Sequence, residues 1–172
     1  GRFARAVQCL WAQYGIDRTA ERLERQCRSV SDFRFACAAA DITPPVGVHM
    51  GGYWGRRSGA TDIHDRLMAK VLVCGCGEEK IAIIAVDLVG LDADEVREIR
   101  TGVTRRSGIP GAAVMICASH THAGPLTMPF RGMGEIDTNY LEEVKNELVE
   151  LVGTAVAKMR KGQLRYARPE VQ

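Results

Sequence analysis

The run Leu67-Met-Ala-Lys-Val-Leu-Val-Cys-Gly-Cys-Gly-Glu-Glu-Lys-Ile-Ala-Ile-Ile-Ala-Val-Asp-Leu-Val89 decides the class of fold. Leu67–Cys74 and Lys80–Val89 are largely apolar runs carrying the β-branched Val71, Val73, Ile81, Ile83, Ile84, Val86 and Val89, and the glycines between them supply a tight turn, so the stretch predicts an antiparallel hairpin. Both runs are apolar on successive residues, which predicts cover on both faces of the sheet. Asp87 interrupts the second run near its end. A carboxylate is costly to bury alone, so Asp87 either accepts hydrogen bonds from loop backbone or serves a site. His64 and Asp65 stand just before the hairpin and reach the same end of the sheet as Asp87 if the register is as expected.

Downstream, Asp92 is an N-cap residue with Glu95 three positions on, a pattern like a capping box, and acidic residues lead while basic ones close the segment. Val96, Ile99 and Val103 form its apolar stripe and Ser107-Gly108 ends it. Ile109-Pro110-Gly111 breaks the chain before Val114-Met-Ile-Cys117, a short apolar run that reads as a buried strand. That strand delivers Ser119-His-Thr-His-Ala-Gly-Pro125 into a turn. By strand alternation His120 and His122 point the same way and Thr121 the other, and crevices of this kind lie beyond the carboxyl ends of strands in α/β sheets. Two imidazoles so placed either converge on one ion or sit as hydrogen-bonded loop residues. Catalytic zinc takes three protein ligands and a water; His64, His49 and Asp87 are the local candidates for the rest.

Upstream, Phe33–Thr43 reads as the first strand of the domain, ended by Pro44-Pro45. Residues 46–60 hold five glycines and lack periodicity, which makes a loop. Within it Gly51-Gly52 permits close backbone approach, and Tyr53 and Trp54 offer aromatic surface, either to an apolar ligand or to the core. The last helix is expected from Asp137 or Thr138 to Lys161, with Leu141, Val144, Leu148, Leu151, Val152, Ala155 and Met159 on one face and Gly162 as its stop. Gln163–Arg168 alternates as a strand does. The order is β, β-hairpin, α, β, α, β: an α/β fold with a mixed sheet and flanking helices, read as an incomplete part of a larger catalytic domain. Residues 1–35 differ in texture. Arginines interleave there with Phe3, Val7, Leu10, Trp11 and Tyr14 at helical spacing, a leader or docking helix outside the domain of residues 36–172.

The chain has 172 residues, enough for one domain with a sizeable core. A net charge of +2 from 23 basic and 21 acidic residues leaves no strong positive field, which argues against nucleic acid as a partner. No apolar run reaches the ~20 residues of a membrane span, and no signal peptide is visible. Of six cysteines, Cys74-Gly-Cys76 is C-x-C, not the C-x-x-C of redox or zinc-ribbon motifs, and all are read as free thiols. Cys117, and Cys37 in a similar apolar run, are expected to behave as small buried hydrophobes.

Several segments together resemble the N-terminal catalytic domain of the neutral/alkaline (non-lysosomal) ceramidase family: Ala40-Asp-Ile-Thr-Pro-Pro45, Met50-Gly-Gly-Tyr53, Ile63-His-Asp65 with Leu67–Val73, Val86-Asp-Leu-Val-Gly-Leu91, and above all Ser119-His-Thr-His-Ala-Gly-Pro125. They agree in order and spacing over residues 37 to about 170. The resemblance implies a zinc-dependent hydrolase that cleaves the amide of ceramide to sphingosine and a fatty acid, with His120 as a zinc ligand and His122 lining the site. Asp87 and His64 are neighbours without an assigned role. The resemblance also implies a ceramide-like lipid substrate and a family often exported or membrane-associated. The family's other ligands, a histidine, a glutamate and a tyrosine, and a catalytic serine come later in its sequence, so none is placed here. The chain is therefore expected to be an N-terminal fragment, dependent on the remainder of its polypeptide and inactive alone. Ala123 stands where serine is commoner, and Arg66 where proline usually follows His-Asp.

Two other readings compete. A metallo-β-lactamase-type site would continue as HxHxDH, but Gly124-Pro125 occupies that place, and an amidohydrolase barrel would carry HxH on its first strand. The non-enzymatic alternative is a module that binds lipid or a partner through Tyr53, Trp54 and the basic leader.

Overall fold

The computed structural model describes residues 32–56 and 58–164. The leader and the residues from 165 on, with most of the expected last strand, lie outside the described residues.

Strands β1 (Phe33–Asp41), β2 (Met68–Cys76) and β3 (Glu79–Val86) form an antiparallel meander, with β2 and β3 closed by the Gly77-Glu78 turn as the hairpin reading expects. Helix α1 (Ala93–Ser107) then crosses over to β4 (Val114–Ala118), which lies parallel to β3. Helix α2 (Thr138–Ala157) follows, and β5 (Arg160–Lys161) pairs with β1. The sheet order is β4-β3-β2-β1-β5, and among the described residues the mixed sheet carries two helices, the α/β arrangement expected.

The helix ends follow their local chemistry. The Asp92 side chain accepts from Ala93 N–H, and Gly108 closes α1 in the left-handed conformation with φ 73°. The Asp137 carboxylate accepts from Tyr140 N–H at 3.0 Å, a cap that satisfies one of the free donors of the first turn. Glu95 forms no reciprocal bond at α1, and its Oε2 is buried without a partner among the described residues. Helix α2 stops at Ala157, not Lys161. Pairing of Arg160-Lys161 with Phe35 and Arg34 of β1 outweighs another helical turn, so the last strand begins earlier than its alternation suggests.

The core sits between the helices and one sheet face. Ala69, Val71 and Val73 stand opposite Val86, Ile84 and Ala82 across the hairpin, and all are buried against Ile99 and Val103 of α1 and Val144, Leu148 and Val152 of α2. The opposite face corrects the sequence reading. Cys37, Ala39 and Ala85 are exposed there, Ile81 and Met115 are 41% and 53% exposed, and no described element covers them. Apolar runs say that a strand tolerates burial on both faces, but the two described helices reach only one. Cys37 is thus exposed and Cys117 half-buried, where both were expected inside.

Three contacts fix the loops at the site's end of the sheet. Tyr140 Oη donates to the Ile42 carbonyl at 2.6 Å and ties α2 to the end of β1, and burial pushes its hydroxyl pKa well up, so it stays a neutral donor. The loop between β1 and β2 is pinned by bridges of His49 with Gly59 and of Met50 with Pro125.

Candidate metal site at the carboxyl ends of β3 and β4

Because β3 and β4 run parallel, the loops that leave them emerge side by side. The first carries Val89 and the second the two histidines. Strand β4 stops at Ala118, and His120 adopts φ +58°, alone among the described non-glycine residues in having a positive φ. Strand alternation therefore does not bring the imidazoles together. A left-handed turn does, with ring centroids 4.8 Å apart and planes at 72°. Both rings are open to solvent, His120 exposed and His122 partly so.

His120 Nδ1 lies 2.7 Å from the Val89 carbonyl oxygen. A carbonyl only accepts, so the proton of neutral His120 belongs on Nδ1, and Nε2 keeps its lone pair. Metal-bound histidines are oriented in this way by a second partner. Thr127 Oγ1 donates to the next carbonyl, Gly90, at 2.6 Å and steadies the loop that holds Val89.

His122 is held by the glycine-rich loop. Tyr53 meets its ring edge-on with centroids 5.2 Å apart, Arg56 donates to its carbonyl at 3.1 Å, and the Arg56 guanidinium lies 4.9 Å from the centre of the Tyr53 ring. Gly52, at φ +97°, faces the His122 ring so closely that a Cβ would collide with it. The roles of Gly52 and Arg56 at His122, and of the Val89 carbonyl at His120, were not read from the sequence. The Gly51-Gly52 pair beside aromatics was the one signal for them.

The other sequence candidates lie apart from the pair. Asp87 Oδ2 accepts from Met68 N–H at 3.0 Å, so of its two sequence readings the backbone partner is the one seen. His64 pairs with Asp65 at 2.8 Å, both highly exposed. The two line a cleft of about 360 Å³ with Met50, Leu67, Thr121 and Pro125, on the Thr121 side of the turn. His49 Nδ1 lies 3.0 Å from the Glu135 N–H, from which it accepts, and its ring packs on Gly134. Among the described residues no three His, Cys, Asp or Glu side chains cluster as a metal site.

No protein-family model and no curated protein matches this chain. Its structure is similar to that of neutral ceramidase from Pseudomonas aeruginosa, with a TM-score of 0.63 and 21% identity over 77% of this chain. A structure of a ceramidase complexed with C2 matches at a TM-score of 0.62, again with 21% identity over 77% of this chain. The chain covers 22% of the length of each of those structures. The likeness establishes a fold: this chain shares its α/β architecture with part of the solved neutral ceramidases.

Proposed function

We propose that the chain carries part of the zinc site of a ceramidase-like amide hydrolase, with His120 Nε2 as a ligand and His122 beside it. The observation that carries this reading is the Val89 carbonyl on His120 Nδ1, which assigns the proton to Nδ1 and leaves Nε2 with its lone pair. The placement of the turn beyond the carboxyl ends of two parallel strands and the fold shared with neutral ceramidases support it.

Imidazole suits zinc, and bound zinc lowers the pKa of a ligated water to about 7 and polarises a carbonyl. The donor type fits, but the count does not reach three within the described residues. The remaining ligands, the oxyanion donors and the proton-transfer groups would come from outside them. What these residues do is orient: Val89 fixes the tautomer and plane of His120, while Gly52, Tyr53 and Arg56 hold His122 against it. A ceramide-like lipid is the proposed substrate of the whole protein.

Zinc titration of the 172-residue chain, followed on imidazole ¹⁵N resonances, tests the ligand assignment. Weak saturable binding is expected that shifts His120 Nε2 and is lost in His120→Ala. Equal zinc binding by wild type and variant, or none by either, would overturn it. A fluorogenic ceramide should not be turned over by this chain alone, and turnover would refute the view that ligands from elsewhere complete the site.

A further inference from the structure

The loop that holds His122 ends in an indole with almost no cover. Trp54 is 84% exposed, the most exposed large apolar side chain among the described residues, and Tyr53 beside it is 56% exposed. An indole so placed is costly in water and common at surfaces that bind. The loop is not slack, because bridges at His49 and Met50, the Gly52 contact and the Arg56 bond brace it from both sides. Left-handed glycines at 52 and 55 turn the chain around Tyr53-Trp54 and hold the tip outward.

The surroundings select the partner. Trp54 Nε1 would lie 3.8 Å from a Cβ placed at Gly132, so the second loop, with half-buried Phe130 and exposed Arg131, borders the tip. Segments 46–56 and 128–136 hold Arg56 and Arg131 against a single carboxylate, Glu135. Indole, phenol and guanidinium together match the polarity gradient of a bilayer's headgroup layer, where aromatic rings take the boundary and cations meet lipid phosphates. A protein partner would also accept Trp, Tyr and Arg, but a specific protein interface takes ~800 Å² from each side, and a protruding loop tip offers far less.

We infer that the Tyr53-Trp54 tip, with Arg56 and Arg131 behind it, is a membrane-surface anchor that seats the histidine pair at a lipid headgroup layer. The inference is independent of zinc and of turnover.

The test uses the full chain carrying Trp11→Phe, which leaves Trp54 as its one indole. With vesicles of phosphatidylcholine and phosphatidylglycerol, Trp54 emission should shift to the blue and be quenched by lipids brominated on their acyl chains. Partition, read by vesicle co-sedimentation so that the indole-free variant can be compared, should strengthen with the anionic fraction and fall on the order of tenfold in Trp54→Ser on the same background. Arg131→Gln should lose the dependence on anionic lipid while keeping part of the blue shift. Unchanged emission with vesicles would overturn the anchor. So would equal partition of Trp54→Ser, which would assign binding to the basic segment before residue 32, or a lipid-free blue shift that grows with protein concentration, which would assign the tip to a second copy.

Discussion

The Nδ1 atom of His120 and the carbonyl oxygen of Val89 stand 2.7 Å apart, joining two loops that are 31 residues apart in the chain. This bond makes a statement about a proton. Neutral His120 should be the Nδ1–H tautomer, the minority form of a free imidazole, and long-range ¹H–¹⁵N spectra at mildly alkaline pH should show a protonated Nδ1 and a bare Nε2. An Nε2–H pattern would break the link between the Val89 loop and the proposed ligand nitrogen.

The fit of Gly52 against His122 should separate cleanly from its backbone preference. Gly47 and Gly52 share left-handed φ values of +103° and +97°, but nothing lies within 4 Å of a Cβ at Gly47. Gly47→Ala should therefore cost only the backbone term, roughly 1–2 kcal/mol, and Gly52→Ala that term plus roughly 1–3 kcal/mol for the collision with the ring. Urea midpoints of both variants measure the difference. Equal losses would mean that His122 moves aside freely and is not held by the loop.

Two thiols on the uncovered sheet face should react unequally. Cys37 is exposed, whereas burial, and secondarily the nearby Cys37, push the Cys74 thiol pKa up and so reduce its thiolate at neutral pH. With a slow maleimide and peptide mapping, Cys37 should label several-fold faster than Cys74, and the gap should narrow as pH rises. Protection of both thiols in the native chain would show that residues outside the described part lie over this face.

The hairpin, the caps at Asp92 and Asp137 and the order of elements were legible because each rests on a local rule: alternation, a side-chain acceptor at a helix start, a glycine at its end. The covering of the sheet was not. Ile81, Ile83 and Met115 are as apolar as Ile84 and Val114, and only the packing of α1 and α2 says which set is buried. At the site, residue types and spacing pointed to His120 and His122 as neighbours, but for a reason that does not operate: the proximity comes from a positive φ, not from a strand's pleat. His64 and Asp87 illustrate the limit of proximity in sequence, since one pairs with its own neighbour and the other with a backbone amide.

The conformation of His120 has a wider consequence. A side chain forced into the left-handed region costs about 1–2 kcal/mol relative to glycine, which the Val89 bond and the greater backbone entropy lost by a glycine roughly offset, so folding alone gives no strong reason to keep His120 over glycine. Retention of an imidazole there sets this turn against the other described residues, where left-handed backbone is left to glycine. A library of this chain sorted only for foldedness should tolerate His120→Gly, and one sorted for the protein's natural task should not.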